Sequence, residues 1–225
     1  MKLRFVLAEA ALELVPKEAW KHPAVAADAR RRGREPGSIL LDRSTHHEAM
    51  LRLKDGPKRG RPDLVHSSIL AVTGSPLYLE GRVALYVHTS GDIVLEIEEG
   101  TRVPKSYNRF RGLVEKALSE EEGSGLVKAY RSSLPQLIKK LGADRVWGLS
   151  TQGAERSLDE LAEEVVRFER PCVVVGGFPH GHFAPEVVGA CDELVRIHAK
   201  PLEAHVVTSR LVYEIEKRVA TAGTR

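Results

Sequence analysis

The chain has 225 residues, of which 42% are hydrophobic and 29% are charged. This length and composition suit one α/β domain with a sizeable core. The net charge of only +3 excludes attraction of phosphate by the field of the whole molecule, so local clusters of cations must supply any such attraction.

Seven apolar runs predict β-strands, and several are apolar throughout, as strands of buried parallel sheets are. They cover residues 2–8, 38–41, 83–88, 93–97, 145–149, 172–175 and 193–197. Helical patterns lie between most of these runs. The sequence therefore predicts an α/β fold with a mostly parallel sheet.

Local signals also place the helices. Residues 45–48 read Thr-His-His-Glu, a capping-box pattern that predicts a helix through residue 53. A helix over residues 62–74 would begin with proline and aspartate. The arginine run 30–34 predicts a helix end before Gly33, because cations there complement the helix dipole. Further helices are predicted over residues 108–118, 157–168 and 205–221.

The turn Ser90-Gly91-Asp92 lies between two short alternating runs and predicts a β-hairpin. This hairpin interrupts the parallel pattern, which indicates an insertion at about 75–105 in a single domain over residues 1–225. The charged segment 121–125 is predicted to be a loop, because nothing in its surroundings indicates a second core.

Cysteine use and the N-terminus predict a cytoplasmic protein. Cys172 and Cys191 form neither a metal-spaced set nor a disulfide framework. No apolar stretch approaches the roughly 18 residues of a membrane span, and the acidic residues of MKLRFVLAEAALELVP do not fit a signal peptide. Asn108 is the only asparagine, a composition that resembles that of proteins from hot environments.

The glycine motif Gly176-Gly177-Phe178-Pro179-His180-Gly181 follows the apolar run 172–175. Glycines at the end of a strand let the backbone approach a ligand that a β-carbon would exclude. The spacing matches neither the dinucleotide fingerprint nor a P-loop. A ligand pocket and a tight turn without a ligand are both compatible with this motif.

The segment 196–202 follows another predicted strand. Open α/β sheets bind ligands in loops at the carboxyl ends of neighbouring parallel strands, so this segment is a second candidate for a pocket wall. The alternative for Pro201 is an ordinary helix start.

The first arginine motif, Gly60-Arg61-Pro62-Asp63-x-x-His66, lies in a cluster with Lys54, Lys58 and Arg59. Pro62 restricts Arg61 to extended backbone, and Asp63 is placed to orient its guanidinium group. A solvated surface pair is the alternative for these two residues. For His66, a core or capping role is favoured over proton transfer.

The second arginine motif runs from Thr101 to Phe110 and mixes cations with Tyr107 and Phe110. Such a mixture holds single-stranded nucleic acid through phosphate contacts and stacking. Alternatively, Phe110 belongs to the buried face of the helix that follows. His46 and His47 lack the partner one helical turn away that a metal site would need, so no metal site is predicted.

Five segments in this order resemble one known family. They read LLDRSTHHEAM, GRPDLVHSSIL, SPLYLEGRVALYVHT, TRVPKSYNRFRGL and VVVGGFPHG. Together they span most of a chain that resembles the Nep/Emg-type ribosome-biogenesis proteins, pseudouridine methyltransferases of the SPOUT superfamily. The resemblance implies a SPOUT-type sheet with helices on both faces and a C-terminal trefoil knot, a feature too rare to propose from periodicity.

The resemblance further implies S-adenosylmethionine as cofactor, a homodimer, and methylation of nitrogen 1 of a pseudouridine in a loop of small-subunit ribosomal RNA. Small-subunit ribosomal proteins are candidate partners. By matching positions, the RNA contacts would be Arg61, Arg102, Lys105 and Arg109. The cofactor pocket would comprise Leu149, Gly176, Gly181, Ile197, His198, Ala199, Lys200, Pro201 and Leu202.

Two catalytic roles are open for the first arginine motif. Arg61 would stabilise the negative charge that develops on the base, with Asp63 holding it in place. Asp63 as general base is the competing hypothesis. A rival function is a non-catalytic RNA-binding assembly factor with the same fold, and methylation of a different RNA position is less favoured.

Overall fold

A seven-stranded sheet organises the chain in the computed structural model, which describes residues 1–119 and 125–222. The strands are β1 (Leu3–Ala10), β2 (Val83–Thr89), β3 (Ile93–Ile97), β4 (Val127–Arg131), β5 (Arg145–Glu155), β6 (Pro171–Gly176) and β7 (Glu193–Arg196). Their order is β4-β3-β2-β1-β6-β5-β7. All pairs from β2 to β7 in this order are parallel, whereas β3 and β4 add to the edge in antiparallel fashion. The predicted mostly parallel sheet is confirmed.

Helices cover both faces of this sheet. They are α1 (Pro23–Arg32), α2 (Arg43–Met50), α3 (Pro62–Thr73), α4 (Pro76–Leu79), α5 (Tyr107–Ser119), α6 (Leu134–Leu141), α7 (Leu158–Val165), α8 (Pro185–Gly189) and α9 (Ala204–Ala222). Alternate residues of β1 point to opposite faces. Phe5 and Leu7 pack with α3, α5, α7 and α9, while Val6 and Ala8 pack with α6 and α8.

The predicted strand at 38–41 is wrong. Residues Pro36–Ser38 form a 3₁₀ turn, and Leu40 makes only an isolated antiparallel bridge with Leu14. Ile39 and Leu41 are buried in a small separate core with α1 and α2. Apolarity in this run therefore serves local packing, which a sequence pattern does not distinguish from a strand.

Strand β4 was missed by the sequence analysis. Val127 and Ala129 are buried and Lys128 is exposed, as expected for an edge strand with one buried face. The strand is short and follows the charged segment predicted as a loop, so the alternation extends over too few residues to stand out. Residues 120–124 of that segment lie outside the described part of the chain.

The start of α2 also differs from the prediction. Asp42, not Thr45, caps the helix: its carboxylate accepts a 2.9 Å hydrogen bond from the amide of Ser44. The helix ends at Met50 instead of residue 53. By contrast, α1 ends before Gly33 as predicted, and Gly33 adopts the left-handed conformation with φ of 62°.

The hairpin between β2 and β3 is confirmed, with Asp92 in the left-handed region at φ of 56°. Its description as an insertion in a single domain stays a prediction, as does the trefoil knot. Within residues 1–119 and 125–222, no helix is long and apolar enough to cross a membrane.

A candidate ligand pocket beside an arginine surface

An open cavity of about 400 Å³ lies at the carboxyl ends of β5, β6 and β7. Its walls comprise these strand ends, the glycine loop (residues 176–183), the loop after β7 and the start of α9. This is the edge at which parallel sheets bind ligands. Most of the residues predicted for the cofactor line it: Leu149, Gly176, Gly181, Ile197, His198, Lys200, Pro201 and Leu202. Ala199 lies in the same loop and is exposed, but it is not part of the wall.

The first two glycines of the glycine loop have different roles. Gly176 lines the cavity, so its backbone faces the space where a ligand would lie. Gly177 is buried, and a β-carbon there would stand 2.8 Å from Cα and Cβ of Ala10. Its amide also donates a 2.8 Å hydrogen bond to the carbonyl of Ala8. Gly177 therefore lets the glycine loop pack closely on β1.

Ser150 and Thr151 also line the cavity, although they were not predicted from the sequence. They follow Leu149 in β5, where the pairing register with β7 shifts between Leu149 and Ala154. This irregularity places two hydroxyl side chains at the ligand edge of the sheet. Their position directly after the apolar run 145–149 was the signal that could have identified them. Val207 of α9 adds an apolar wall from a distant part of the sequence.

Arg61 and Asp63 form a two-point ion pair at the start of α3. The guanidinium donates Nε to Oδ1 at 2.8 Å and a terminal nitrogen to Oδ2 at 2.9 Å. Burial raises the pKa of Asp63, but the hydrogen bonds and charge of Arg61 outweigh it, so the pKa lies below its usual value. The hydrogen bond to Asp63 in turn raises the pKa of Arg61. Asp63 thus stays ionised and orients the guanidinium, as predicted.

Backbone contacts connect this ion pair to the cavity. The amide of Arg61 donates to the carbonyl of Ala11 at 3.0 Å, and the amide of Ala11 donates to the carbonyl of Gly177 at 2.8 Å. The charge of Glu203, one residue after the cavity-lining Leu202, contributes to the raised pKa of Arg61. Arg61 therefore lies at the border of the cavity.

The second arginine motif packs against α3. His66 donates from Nε2 to the carbonyl of Pro104 at 2.8 Å, and its ring stacks on Phe110. Tyr107 donates its hydroxyl to the carboxylate of Asp42, and burial and this bond raise the pKa of Tyr107. Phe110 is only 1% exposed, so it belongs to the buried face of α5, which was the alternative given for it. The core role favoured for His66 is confirmed, since the residue is 6% exposed.

Nearly the whole chain matches one known protein family. The profile of the family described as EMG1/NEP1 methyltransferase matches residues 5–216. The chain belongs to this family. It is 43% identical over 223 residues to the ribosomal RNA small subunit methyltransferase Nep1 of Pyrobaculum neutrophilum, covering 97% of this chain and 98% of that protein. Nep1 of Pyrococcus furiosus is 36% identical over 221 residues, with 97% and 98% coverage.

A solved structure of the family is similar over its whole length. Nep1 of Archaeoglobus fulgidus bound to S-adenosylhomocysteine superimposes with a TM-score of 0.86 at 36% identity. The superposition covers 98% of this chain and 100% of that one. The resemblance of the five sequence segments to the Nep/Emg-type family is thus confirmed.

The cations of the two arginine motifs differ in whether a carboxylate of the protein pairs with them. Arg102, Lys105 and Arg109 are exposed and make no ion pair with any described residue. In the first cluster, Lys58 pairs with Glu9 and Arg59 pairs with Glu13. These two cations are therefore held by carboxylates of the protein.

The cations predicted to contact RNA lie outside the cavity wall of their own chain. Among the described residues, none of Arg61, Arg102, Lys105 and Arg109 lines the cavity. Arg61 is connected to the glycine loop through Ala11, and His66 of the same motif bonds to Pro104 in the second arginine motif. The first arginine motif is therefore the connection between the cavity and the exposed cations.

Proposed function

We propose that the protein transfers a methyl group from S-adenosylmethionine to nitrogen 1 of a pseudouridine in a loop of small-subunit ribosomal RNA, during assembly of that subunit. The observation that carries this proposal is the cavity at the ends of β5, β6 and β7 with Arg61 at its border. The names of the relatives and the S-adenosylhomocysteine in the related structure support the same activity.

The cavity suits a cofactor of this kind. Its volume of about 400 Å³ falls within the range of small-molecule sites. Leu149, Val175 and Leu202 supply apolar surface for the adenine ring and the methionine chain, while Ser150 and Thr151 supply hydroxyl groups for polar atoms. Because Gly176 has no side chain, the backbone itself would contact the cofactor.

We infer the RNA-binding surface from the cations that pair with no carboxylate among the described residues. Phosphate contacts require positive side chains that no carboxylate of the protein has already neutralised. Arg102, Lys105 and Arg109 meet this condition within the described residues, and the second arginine motif holds them beside α3. We assign the phosphates of the RNA loop to these three residues and the modified base to Arg61.

When bound, S-adenosylmethionine supplies an electrophilic methyl group. Nitrogen 1 of pseudouridine is free to react because this base is joined to ribose through carbon. It would bond to that methyl carbon as the carbon–sulfur bond breaks and S-adenosylhomocysteine leaves, and its proton would pass to solvent water. Arg61 stabilises the negative charge that develops on the base. The low pKa of Asp63 makes it a weak acceptor for that proton, which favours an orienting role over that of general base.

We also assign a homodimer to the working enzyme. None of the predicted RNA contacts lines the cavity of its own chain among the described residues, so a second subunit would complete the site. We propose that the protein acts in ribosome assembly in the cytoplasm, with small-subunit ribosomal proteins as candidate partners. Light scattering during gel filtration measures the dimer directly.

Two measurements test the function. Calorimetry with S-adenosylmethionine is expected to give binding, and methyl transfer to an RNA loop is expected with pseudouridine but not with uridine at the same position. Binding of RNA without cofactor binding or transfer would instead favour the non-catalytic assembly factor. Transfer to both loops would contradict specificity for nitrogen 1 of pseudouridine.

A further inference from the structure

Glu9 has a backbone conformation that residues with a β-carbon rarely adopt. Its φ is 48°, in the left-handed region. The register between β1 and β2 shifts between Leu7 and Ala10, so Glu9 lies in a bulge near the end of β1. Bulges redirect side chains, and conformations of this kind persist only where surrounding contacts maintain them.

The side chain of Glu9 makes contacts that explain the bulge. It is 8% exposed, and its Oε1 accepts a 2.7 Å hydrogen bond from the amide of Ala184. Its Oε2 accepts a hydrogen bond from the ammonium group of Lys58. The bulge therefore directs one buried carboxylate both to the end of the glycine loop and to a lysine from a distant segment.

Lys58 contacts the glycine loop at two further points. Its ammonium group donates to the carbonyl of His182 at 2.8 Å and lies 4.0 Å from the centroid of the Phe178 ring. An ammonium group at this distance from an aromatic face is attracted to it. Glu9 and Lys58 together thus contact the glycine loop at Phe178 and His182, and Ala184 directly after it.

The opposite side of the same loop forms a wall of the ligand cavity. Phe178, His182 and Phe183 line that cavity, whereas Glu9 and Lys58 lie on the far side, in a second cavity with Ala184. Gly181 adopts a φ of 97° and would meet nothing within 4 Å if it had a β-carbon. Gly181 therefore has no packing of its own, whereas Phe178 and Phe183 pack edge to face and Phe183 is buried in the core. The glycine loop is held partly by these two rings and partly by Glu9 and Lys58.

We propose that Glu9 and Lys58 are positioning residues that hold the glycine loop in the shape that binds the cofactor. This inference rests on the proposed function, because it takes the cavity as the S-adenosylmethionine site. A loop that is ordered before binding does not lose conformational entropy on binding, and this raises affinity. Neither residue touches the cofactor in this arrangement.

The test measures affinity for S-adenosylhomocysteine by calorimetry. Glu9→Gln keeps the shape and an acceptor for Ala184 but removes the charge that binds Lys58, and Lys58→Met removes the ammonium group. Each is expected to weaken binding about tenfold, as for loss of a charge-assisted hydrogen bond. The double variant is expected to bind no more weakly than the weaker single variant. Lys58→Arg is expected to restore most of the affinity.

A matched control is the exposed ion pair of Glu98 and Lys128. It lies at the β3–β4 edge of the sheet, opposite the edge formed by β5 and β7. Glu98→Gln and Lys128→Met are expected to bind S-adenosylhomocysteine like the wild type. RNA affinity without cofactor, measured for Glu9→Gln, separates positioning from a general structural effect. It is expected to be unchanged, because Glu9 is buried and carries no positive charge.

The outcomes are distinguishable. If the wild type binds while Glu9→Gln and Lys58→Met bind equally well, the inference is overturned and the proposed function stands. An equal loss of RNA affinity in Glu9→Gln also overturns it. If the wild type does not bind, the proposed function fails and this inference with it. Lys58, whose side chain is 27% exposed, provides the decisive variant if Glu9→Gln does not fold.

Discussion

The imidazole ring of His66 stacks on the ring of Phe110, with centroids 4.2 Å apart and planes inclined by 16°. This contact joins α3, which begins next to Arg61, to α5, which carries Arg109. It holds the two arginine motifs in a fixed relation, although they are separated by about 40 residues. The stability of this contact therefore bears directly on the proposed RNA surface.

The first prediction concerns pH and His66. Burial lowers the pKa of His66, although the bond to Pro104 opposes the shift, whereas an unfolded histidine has a pKa of about 6.5. As the pH falls below about 6.5, protons bind the unfolded chain first, so the free energy of unfolding decreases. His66→Gln should reduce this decrease. Urea unfolding at pH 7.5, 6 and 5 provides the measurement.

A remaining pH dependence is expected in that variant, because burial also lowers the pKa of His46. An identical pH dependence in His66→Gln and the wild type would contradict the assignment.

The second prediction concerns the charge of Arg61. Arg61→Ala is expected to lower the single-turnover rate of methyl transfer at saturating RNA about 100-fold, or about 3 kcal/mol, as for loss of a preorganised charge. Arg167→Ala removes an exposed arginine that is paired with Glu163 of α7 and does not line the cavity, so it should leave the rate unchanged. An unchanged rate for Arg61→Ala would refute its role.

The third prediction separates the two roles of Asp63. If Asp63 orients Arg61, Asp63→Asn should reduce the transfer rate roughly tenfold, as for a weakened charge-assisted bond, and keep the pH profile. A general base, which the lowered pKa of Asp63 would keep ionised from pH 5 to 9, would instead make the variant about 10²–10⁴-fold slower at every pH in that range. Rate measurements from pH 5 to 9 distinguish these outcomes.

The fourth prediction uses salt to count phosphate contacts. Each of Arg102→Ala, Lys105→Ala and Arg109→Ala should reduce the slope of log affinity against log salt by about 0.7, the value for single strands. Arg170→Ala, whose charge is paired with Asp144, should leave the slope unchanged. Fluorescence anisotropy with a labelled RNA loop at several salt concentrations gives the slopes, and equal slopes in all variants would rule out the assigned contacts.

The fifth prediction compares two glycines. Gly177→Ala places a β-carbon 2.8 Å from Ala10 and should destabilise the protein by about 1–3 kcal/mol through overpacking. Gly112→Ala on α5 meets nothing within 4 Å and should stabilise it by up to about 1 kcal/mol through helix propensity. Thermal unfolding of both variants provides the comparison, and equal melting temperatures would contradict the close packing.

Much of the fold was predictable because its signals are local. The buried runs of β1, β2, β3, β5, β6 and β7 are continuous or alternating, and the hairpin turn is marked by Gly91 and Asp92. The predictions failed where tertiary contacts decide. Ile39 is buried without belonging to the sheet. The alternation in β4 is too short to stand out in the sequence, and pairing with β3 is what identifies it as a strand.

The candidate site shows the same division. Arg61 and Asp63 were identified together because two residues of spacing is enough to form their ion pair. The cavity-lining Ser150 and Thr151 were missed because their place depends on a register shift between β5 and β7.

By itself, the sequence determined the class of fold, the family and the residue types available for cofactor and RNA, since composition, periodicity and short motifs are properties of neighbouring residues. Only the tertiary structure decided which cations are free and which are held. Glu9 reaches Lys58 across 49 residues, while Arg102, Lys105 and Arg109 meet no carboxylate among the described residues. Ion pairing depends on distance in space, and the folded backbone alone brings distant side chains within that distance.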